Sequence, residues 1–190
     1  MKRLSLLLEV YKMQYDYLIV GSGIIGMTIA YELLSEDSLL TIAIIDKEDD
    51  VAKHASGRNS GVLHAGFYYT ANSLKAKFTV DGNRLMKKFC NENNIFVKNT
   101  QKIVVAKDEK ELEGIYELQK RAEINGVDTK VIGEEEVLKI DSNIKTYKKA
   151  LLSPSTATVN PKEVTKEFAK VILELGVELV LDCKYLSSKA

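Results

Sequence analysis

Residues 17–26, YLIVGSGIIG, followed by an acid at Asp46, constrain this chain more than any other feature. They read as a strand, a glycine turn and a helix, with the acid where a second strand ends. Gly21, Gly23 and Gly26 have the G-x-G-x-x-G spacing, and Asp46 lies 20 residues beyond Gly26. That is close to the separation expected of a ribose-binding acid in a dinucleotide-binding βαβ unit. The first glycine permits the tight turn, the second lets backbone approach a pyrophosphate, and the third lets the helix pack closely on the strand. A pyrophosphate would face the unpaired N–H groups at the positive end of that helix. The competing reading is a fortuitous glycine turn in an ordinary βαβ unit. The strand, helix, second strand and acid, all in order, favour a dinucleotide.

The flanking pattern supports this context. Residues 17–20 and 41–45 are apolar runs without alternation, which suits parallel strands buried on both faces. Between them Ile24, Ile25, Thr28, Ile29, Tyr31 and Leu33 predict a helix with one broad buried face, closed by polar residues 35–38. Further on, 74–91 predicts an amphipathic helix with Phe78, Leu85, Met86 and Phe89 among its apolar positions. A strand at 102–106 and a charged helix at 108–125, with Leu112, Ile115, Leu118 and Ala122 at helical spacing, follow. Then come a strand and helix over 126–132 and 134–140, a return segment at 150–158, a helix at 161–175 and a strand at 177–181.

Charge excludes one class of partner. Lys plus Arg and Asp plus Glu both number 27, and the lysines are scattered among acids instead of forming a stripe, so nucleic acid is not expected. Cys90 and Cys183 form no C-x-x-C pair, support no zinc site, and read as small apolar residues in a reducing compartment. The leading MKRLSLLLEVYK imitates a signal peptide, but Glu9 interrupts its apolar run, no small-residue cleavage site follows, and it is too short to span a bilayer. Residues 1–14 are therefore an extension, with either Met1 or Met13 as the start. They form a disordered lead-in or an amphipathic segment touching a membrane or partner.

The segment 54–69, HASGRNSGVLHAGFYY, is poor helix and poor strand but rich in donors, and it holds both histidines, His54 and His64. It suits either a loop wrapping a polar ligand or a plain surface loop before the next helix. Its sequence resembles the loop after the second strand in the D-amino-acid-oxidase superfamily of FAD-dependent oxidoreductases, and in particular the L-2-hydroxyglutarate oxidase/dehydrogenase family. The matching pieces are YDYLIVGSGIIGMTIAYEL, IAIIDKE, SGRNSGVLHAG with its following YY, SLKAKF, Gly82–Asn83, and a Pro-Ser with later Val and Glu-Val around 154–164.

The resemblance implies an α/β fold: an incomplete Rossmann-like FAD-binding domain (15–95 and 155–190) with an inserted part of a substrate-binding β-sheet domain (96–154). It implies that Gly21, Gly23 and Gly26 cradle the FAD pyrophosphate, and that Asp46 and Lys47 frame the adenosine end. Ser56, Arg58, Asn59, Ser60 and Gly61 would lie along the pyrophosphate and flavin. The chemistry of Arg58, a fixed fork of donors, agrees, though an exposed salt bridge is its plain alternative. His64 is the candidate catalytic base for removing a hydroxyl proton. A flavin hydrogen bond or a satisfied structural role are its alternatives. His54 reads as a structural or flavin-edge contact. Tyr68, Tyr69 and Lys75 are candidates for contacting a carboxylate, or wall residues.

The implied activity is oxidation of a 2-hydroxy acid, L-2-hydroxyglutarate to 2-oxoglutarate. A glycerol-3-phosphate dehydrogenase-like flavoprotein and a non-catalytic flavin-binding fragment are the alternatives, and NAD in place of FAD a weaker one. Asp46 stands where many members carry Glu, Tyr185 where a small apolar residue commonly meets the adenine, and Ala71–Asn72 where a Pro-Gly turn is usual. Members also continue well past the strand at 177–181. The chain therefore reads as an N-terminal half that alone binds FAD weakly or folds poorly, with a separately encoded C-terminal half as candidate partner. A cytoplasmic location, with peripheral or quinone contact at the inner face of the membrane, completes the expectation.

Overall fold

The structure, a computed structural model, describes residues 14–188. Except for Gln14, the N-terminal extension and its two candidate starts lie outside the described residues. Those up to Asn59, together with those from Pro161, form one compact unit, and Ser60–Asn160 form a second. The division falls at 59/60 and 160/161, whereas the expected domain partition lies at 95/96 and 154/155.

The first unit is a parallel sheet with helices. Strand β1 (Tyr17–Val20) leads through helix α1 (Ile24–Glu36) to β2 (Ile42–Ile45), and the late helix α5 (Pro161–Glu174) leads to β8 (Glu178–Val180). The strand order is β1-β2-β8, all parallel, with Val20 opposite Ile45 and Ile45 opposite Val180. All four residues of β2 are buried, as the unbroken IAII run requires of a central strand. Strand β1 departs from the expectation. Leu18 and Val20 are 55% and 57% exposed, because β1 pairs only with β2 among the described residues.

Helix α1 also corrects the sequence reading. Its buried stripe is Met27, Ala30 and Leu34, whereas Ile25 is 71% exposed and Ile29 is also exposed. Gly26 lies against the Gly21 turn, and with that contact fixed Met27, Ala30 and Leu34 form the buried stripe while Ile25 and Ile29 face outward. Helix α5 buries Val164, Thr165, Phe168, Ala169 and Ile172, a stripe at helical spacing. Phe168 meets Tyr31 of α1 edge-on, with ring centroids 6.2 Å apart.

The second unit is built on an antiparallel sheet. It contains β3 (Val62–Leu63), α2 (Leu74–Glu92), β4 (Lys102–Val105), α3 (Glu109–Ile124), β5 (Lys130–Gly133), α4 (Glu134–Ile140), β6 (Lys149–Ser153) and β7 (Ala157–Thr158). Strand β6 lies between β4 and β5, and β3 pairs separately with β7. Leu112, Ile115 and Ala122 of α3 close one core with Phe67 and Leu151, while Leu118 packs at its margin. Val137 of α4 closes another with Ile132 and Ala150. Ser73 and Asp108 cap α2 and α3, their side chains accepting from the N–H groups of Ala76 and Glu111. Helix α2 buries Ala76 and Cys90, not the predicted Phe78 and Leu85, which are exposed. Both cysteines are free thiols. Among the described residues no helix is long and apolar enough to cross a membrane.

Replacing Phe168 with Ala is expected to cost about 3–5 kcal/mol, since it removes a buried ring from the α1–α5 contact. Urea unfolding measures it. A change within about 0.5 kcal/mol, typical of surface sites, would show that the contact does not stabilise this unit.

Candidate cofactor cradle and catalytic segment

The glycine turn is closed from inside. Gly21 leaves β1 at φ +110°, a conformation that disfavours any side chain, and a Cβ on Gly26 would lie 2.1 Å from the Gly21 carbonyl oxygen. The Gly21 N–H donates to the Ile45 carbonyl at 2.8 Å. Between the glycines, Ser22 is buried, and its N–H and hydroxyl donate to Asp46 Oδ2 at 2.7 and 2.8 Å. Asp46 Oδ1 accepts from the Glu48 N–H at 3.0 Å. The predicted ribose acid therefore stands at the end of β2, but its carboxylate is already tied to the turn. Burial pushes this carboxyl up, yet the bonds from Glu48 and Ser22, helped by the nearby His54, outweigh it and hold the pKa below the usual value.

Lys47 and His54 both turn to Glu48, Lys47 at 3.6 Å and His54 Nε2 at 2.8 Å from Oε1. His54 thus has a structural partner on an exposed surface.

The N-terminus of α1 has no side-chain cap of its own, because its N-cap is Gly23. Ser56 supplies one from the following loop, its Oγ accepting from the Ile24 N–H at 3.0 Å. A Cβ on Gly23 would stand 3.0 Å from that same oxygen. Ser56 belongs to a short 3₁₀ turn (Ala55–Gly57) that is pressed against the preceding chain. There a Cβ on Gly57 would lie 2.0 Å from the Ala52 carbonyl oxygen. Asn59 Nδ2 donates to the carbonyls of Ala55 and Ser56 at 3.0 and 3.1 Å, and Thr165 of α5 donates to Ser56 at 3.4 Å. Arg58 is exposed, and no acid among the described residues pairs with its guanidinium. First-turn N–H groups, a serine hydroxyl and an uncommitted guanidinium form the donor set that a diphosphate needs, around glycines whose missing side chains leave the approach open. The residues present fit a dinucleotide.

In the second unit, Ser60 is exposed and Gly61, at φ +65°, accepts from the Val159 N–H at 2.9 Å. His64 follows β3 with its imidazole exposed. Its main chain is anchored by Asn83 of α2, whose Nδ2 donates to the carbonyls of Leu63, His64 and Ser155 at 2.9, 3.2 and 3.3 Å. Lys87, one helical turn on, also donates to Ser155, and burial lowers its pKa. Lys75 Nζ lies 4.6 Å from the centre of the Tyr69 ring, and Lys102 Nζ lies 4.6 Å from that of Tyr68. Sequence reasoning marked Asn83 only as part of a matching pair and missed Lys102 and Ala52. Nothing local distinguishes an alanine that must adopt φ +62°.

Residues 16–189 match the DAO family of FAD dependent oxidoreductases. The chain belongs to this family. It is 39% identical over 170 residues to an L-2-hydroxyglutarate dehydrogenase of Escherichia coli, covering 90% of this chain and 40% of that protein. It is 41% identical over 162 residues to a mitochondrial L-2-hydroxyglutarate dehydrogenase of Dictyostelium discoideum, covering 84% and 36%. Among solved structures, it resembles FAD-bound L-alpha-glycerophosphate oxidase from Mycoplasma pneumoniae, with TM-score 0.79 and 25% identity over 90% of this chain and 45% of that one. The chain spans about two fifths of the length of the curated relatives it matches. Its α/β architecture is that of the DAO family's FAD-dependent oxidoreductases.

The lowered pKa of Asp46 has a definite sign. The carboxylate contributes stability above the unfolded pKa of about 3.9, and the contribution is lost as pH falls through the lower folded value. Asp46→Asn is expected to lower the urea midpoint near neutral pH and to flatten its acid limb below about pH 4. Parallel acid limbs in the two proteins would mean that Asp46 is not held by these bonds.

Proposed function

We propose that this chain is the N-terminal part of an FAD-dependent oxidoreductase that converts L-2-hydroxyglutarate to 2-oxoglutarate. The observation that carries the reading is the identity of about two residues in five, over most of the chain, with proteins named L-2-hydroxyglutarate dehydrogenase. Bound FAD would supply the two-electron acceptor for the substrate carbon.

The chain's own residues have separate tasks in this proposal. The glycine turn and the first-turn N–H groups of α1 receive the diphosphate, with Ser56 beside them and Arg58 neutralising charge. Asp46 orders the turn and offers its remaining lone pairs to ribose hydroxyls, with Lys47 next to it at the adenosine end. Asn59, Ser60 and Gly61 continue along the cofactor. His64 takes the hydroxyl proton on an imidazole nitrogen, and Asn83 steadies the main chain that presents it. Residues 15–95 with 155–190 form the nucleotide domain and 96–154 the substrate domain. The proposal includes a C-terminal half, in the same polypeptide or separately encoded, and electron delivery to a quinone at the inner membrane face.

The complete flavoenzyme containing this chain is expected to lose its visible flavin absorbance anaerobically with L-2-hydroxyglutarate and to keep it with glycerol 3-phosphate. The reverse would support a second reading, a glycerol-3-phosphate-oxidising flavoprotein, which the fold match to L-alpha-glycerophosphate oxidase favours. His64→Asn in that enzyme is expected to keep its flavin and lose roughly 10²–10⁴-fold in turnover. Undiminished turnover would remove His64 as the base.

A further inference from the structure

We infer that Lys102, together with Tyr68, forms a carboxylate-binding subsite for the substrate in the narrow cleft that also holds His64. The inference rests on the 2-hydroxy-acid reading above and names a recognition residue for it. The cleft is lined by His64, Gly66, Tyr68, Tyr69, Lys102 and Thr156, among others, and its enclosed space of about 10 Å³ admits one carboxylate oxygen, with the rest of a substrate outside its mouth. Lys102 opens β4, and alternation along the strand puts it on the same face as Val104, which packs against the core containing Phe67 and Leu151. Lys102 is half-buried at this position, which brings its ammonium to the cleft instead of leaving it in open solvent.

No acid among the described residues pairs with that ammonium. The contact made by Lys102 is the Tyr68 ring, 4.6 Å from Nζ. An aromatic face holds an ammonium in place without neutralising it, so the charge stays available to an anion. Plain snorkelling of the lysine along the ring is the competing account. Three features favour an anion site. Tyr68 is fixed, its ring 4.5 Å from that of Phe67 and its flanking carbonyls, Gly66 and Tyr69, both holding the Asn125 amide. Burial raises the Tyr68 phenol pKa, so the group remains a neutral donor beside the ammonium. Tyr69, the next residue in sequence and also on the cleft wall, carries the ammonium of Lys75 over its ring, and no acid among the described residues pairs with that lysine. A cation over a fixed ring, a phenol donor and a histidine on one cleft suit a single carboxylate of a hydroxy acid.

The test uses the complete flavoenzyme and glutarate, a dicarboxylate with no hydroxyl to oxidise. Calorimetry is expected to show glutarate binding weakened about tenfold or more by Lys102→Met and largely retained by Lys102→Arg. KM is expected to rise with kcat little changed. A KM rise confined to L-2-hydroxyglutarate assigns Lys102 to the distal carboxylate, while an equal rise for 2-hydroxybutyrate assigns it to the carboxylate beside the hydroxyl. Tyr68→Phe, which keeps the ring and removes the donor, is expected to give a smaller loss and serves if Lys102→Met does not fold. Unchanged glutarate affinity and unchanged KM in these variants would overturn the subsite. Lysine-dependent glutarate binding by an enzyme that oxidises no 2-hydroxy acid would overturn only the functional reading.

Discussion

The tie between Asp46 and Ser22 is the contact on which the first unit depends. One carboxylate oxygen accepts both the N–H and the hydroxyl of Ser22, so the end of β2 and the turn after β1 cannot separate without stranding a buried serine. The main chain repeats the tie: Gly21 donates to Ile45, Asp46 donates to Val180, and Cys183 donates to Asp46. Three parallel strands are thus joined at their carboxyl ends. Open α/β sheets bind ligands beyond that edge, where helix N-termini gather.

From this fixed edge the rest of the cradle follows by close approach. Gly26 lets α1 press against the turn, and Gly57 lets the next loop press against Ala52, which delivers Ser56 to the first N–H of α1. The loop is held by its own main chain through Asn59 and by α5 through Thr165. Arg58 joins this scaffolding only through its main chain, whose N–H donates to the Ala55 carbonyl at 3.3 Å. A side chain spared from structural duty, on a rigid loop at the positive end of a helix, is free to serve a ligand.

The second unit has a comparable economy of anchors. Asn83 makes three contacts with carbonyls from two segments, and Asn125 holds two more around Tyr68. The segment from His64 to Tyr69 has little regular structure of its own, so these amides do for it what a ladder of hydrogen bonds does for a strand. That is why its aromatic rings can hold cations at fixed places.

The order and kind of the elements are legible in the sequence, because hydrophobic period and glycine spacing are local properties of the chain. The unbroken IAII run, the G-x-G-x-x-G turn and the Leu112–Ile115–Ala122 stripe all appear where the pattern puts them. Burial was decided by tertiary structure. Ile25 and Leu18 are as apolar as Met27 and Ile44, yet they are exposed, since a pattern records apolarity and only neighbours confer burial. The same distinction governs the site. Spacing marked Asp46, and the family resemblance marked Ser56 and Arg58, as ligand-facing candidates. Only the fold shows that Asp46 and Ser56 also carry the turn and the helix N-terminus, while Arg58 stays uncommitted. Lys102 was invisible in sequence because a lysine opening a strand looks like any surface lysine. Its meaning depends on which face of β4 it shares and on a ring more than thirty positions earlier, and folding alone brings those together.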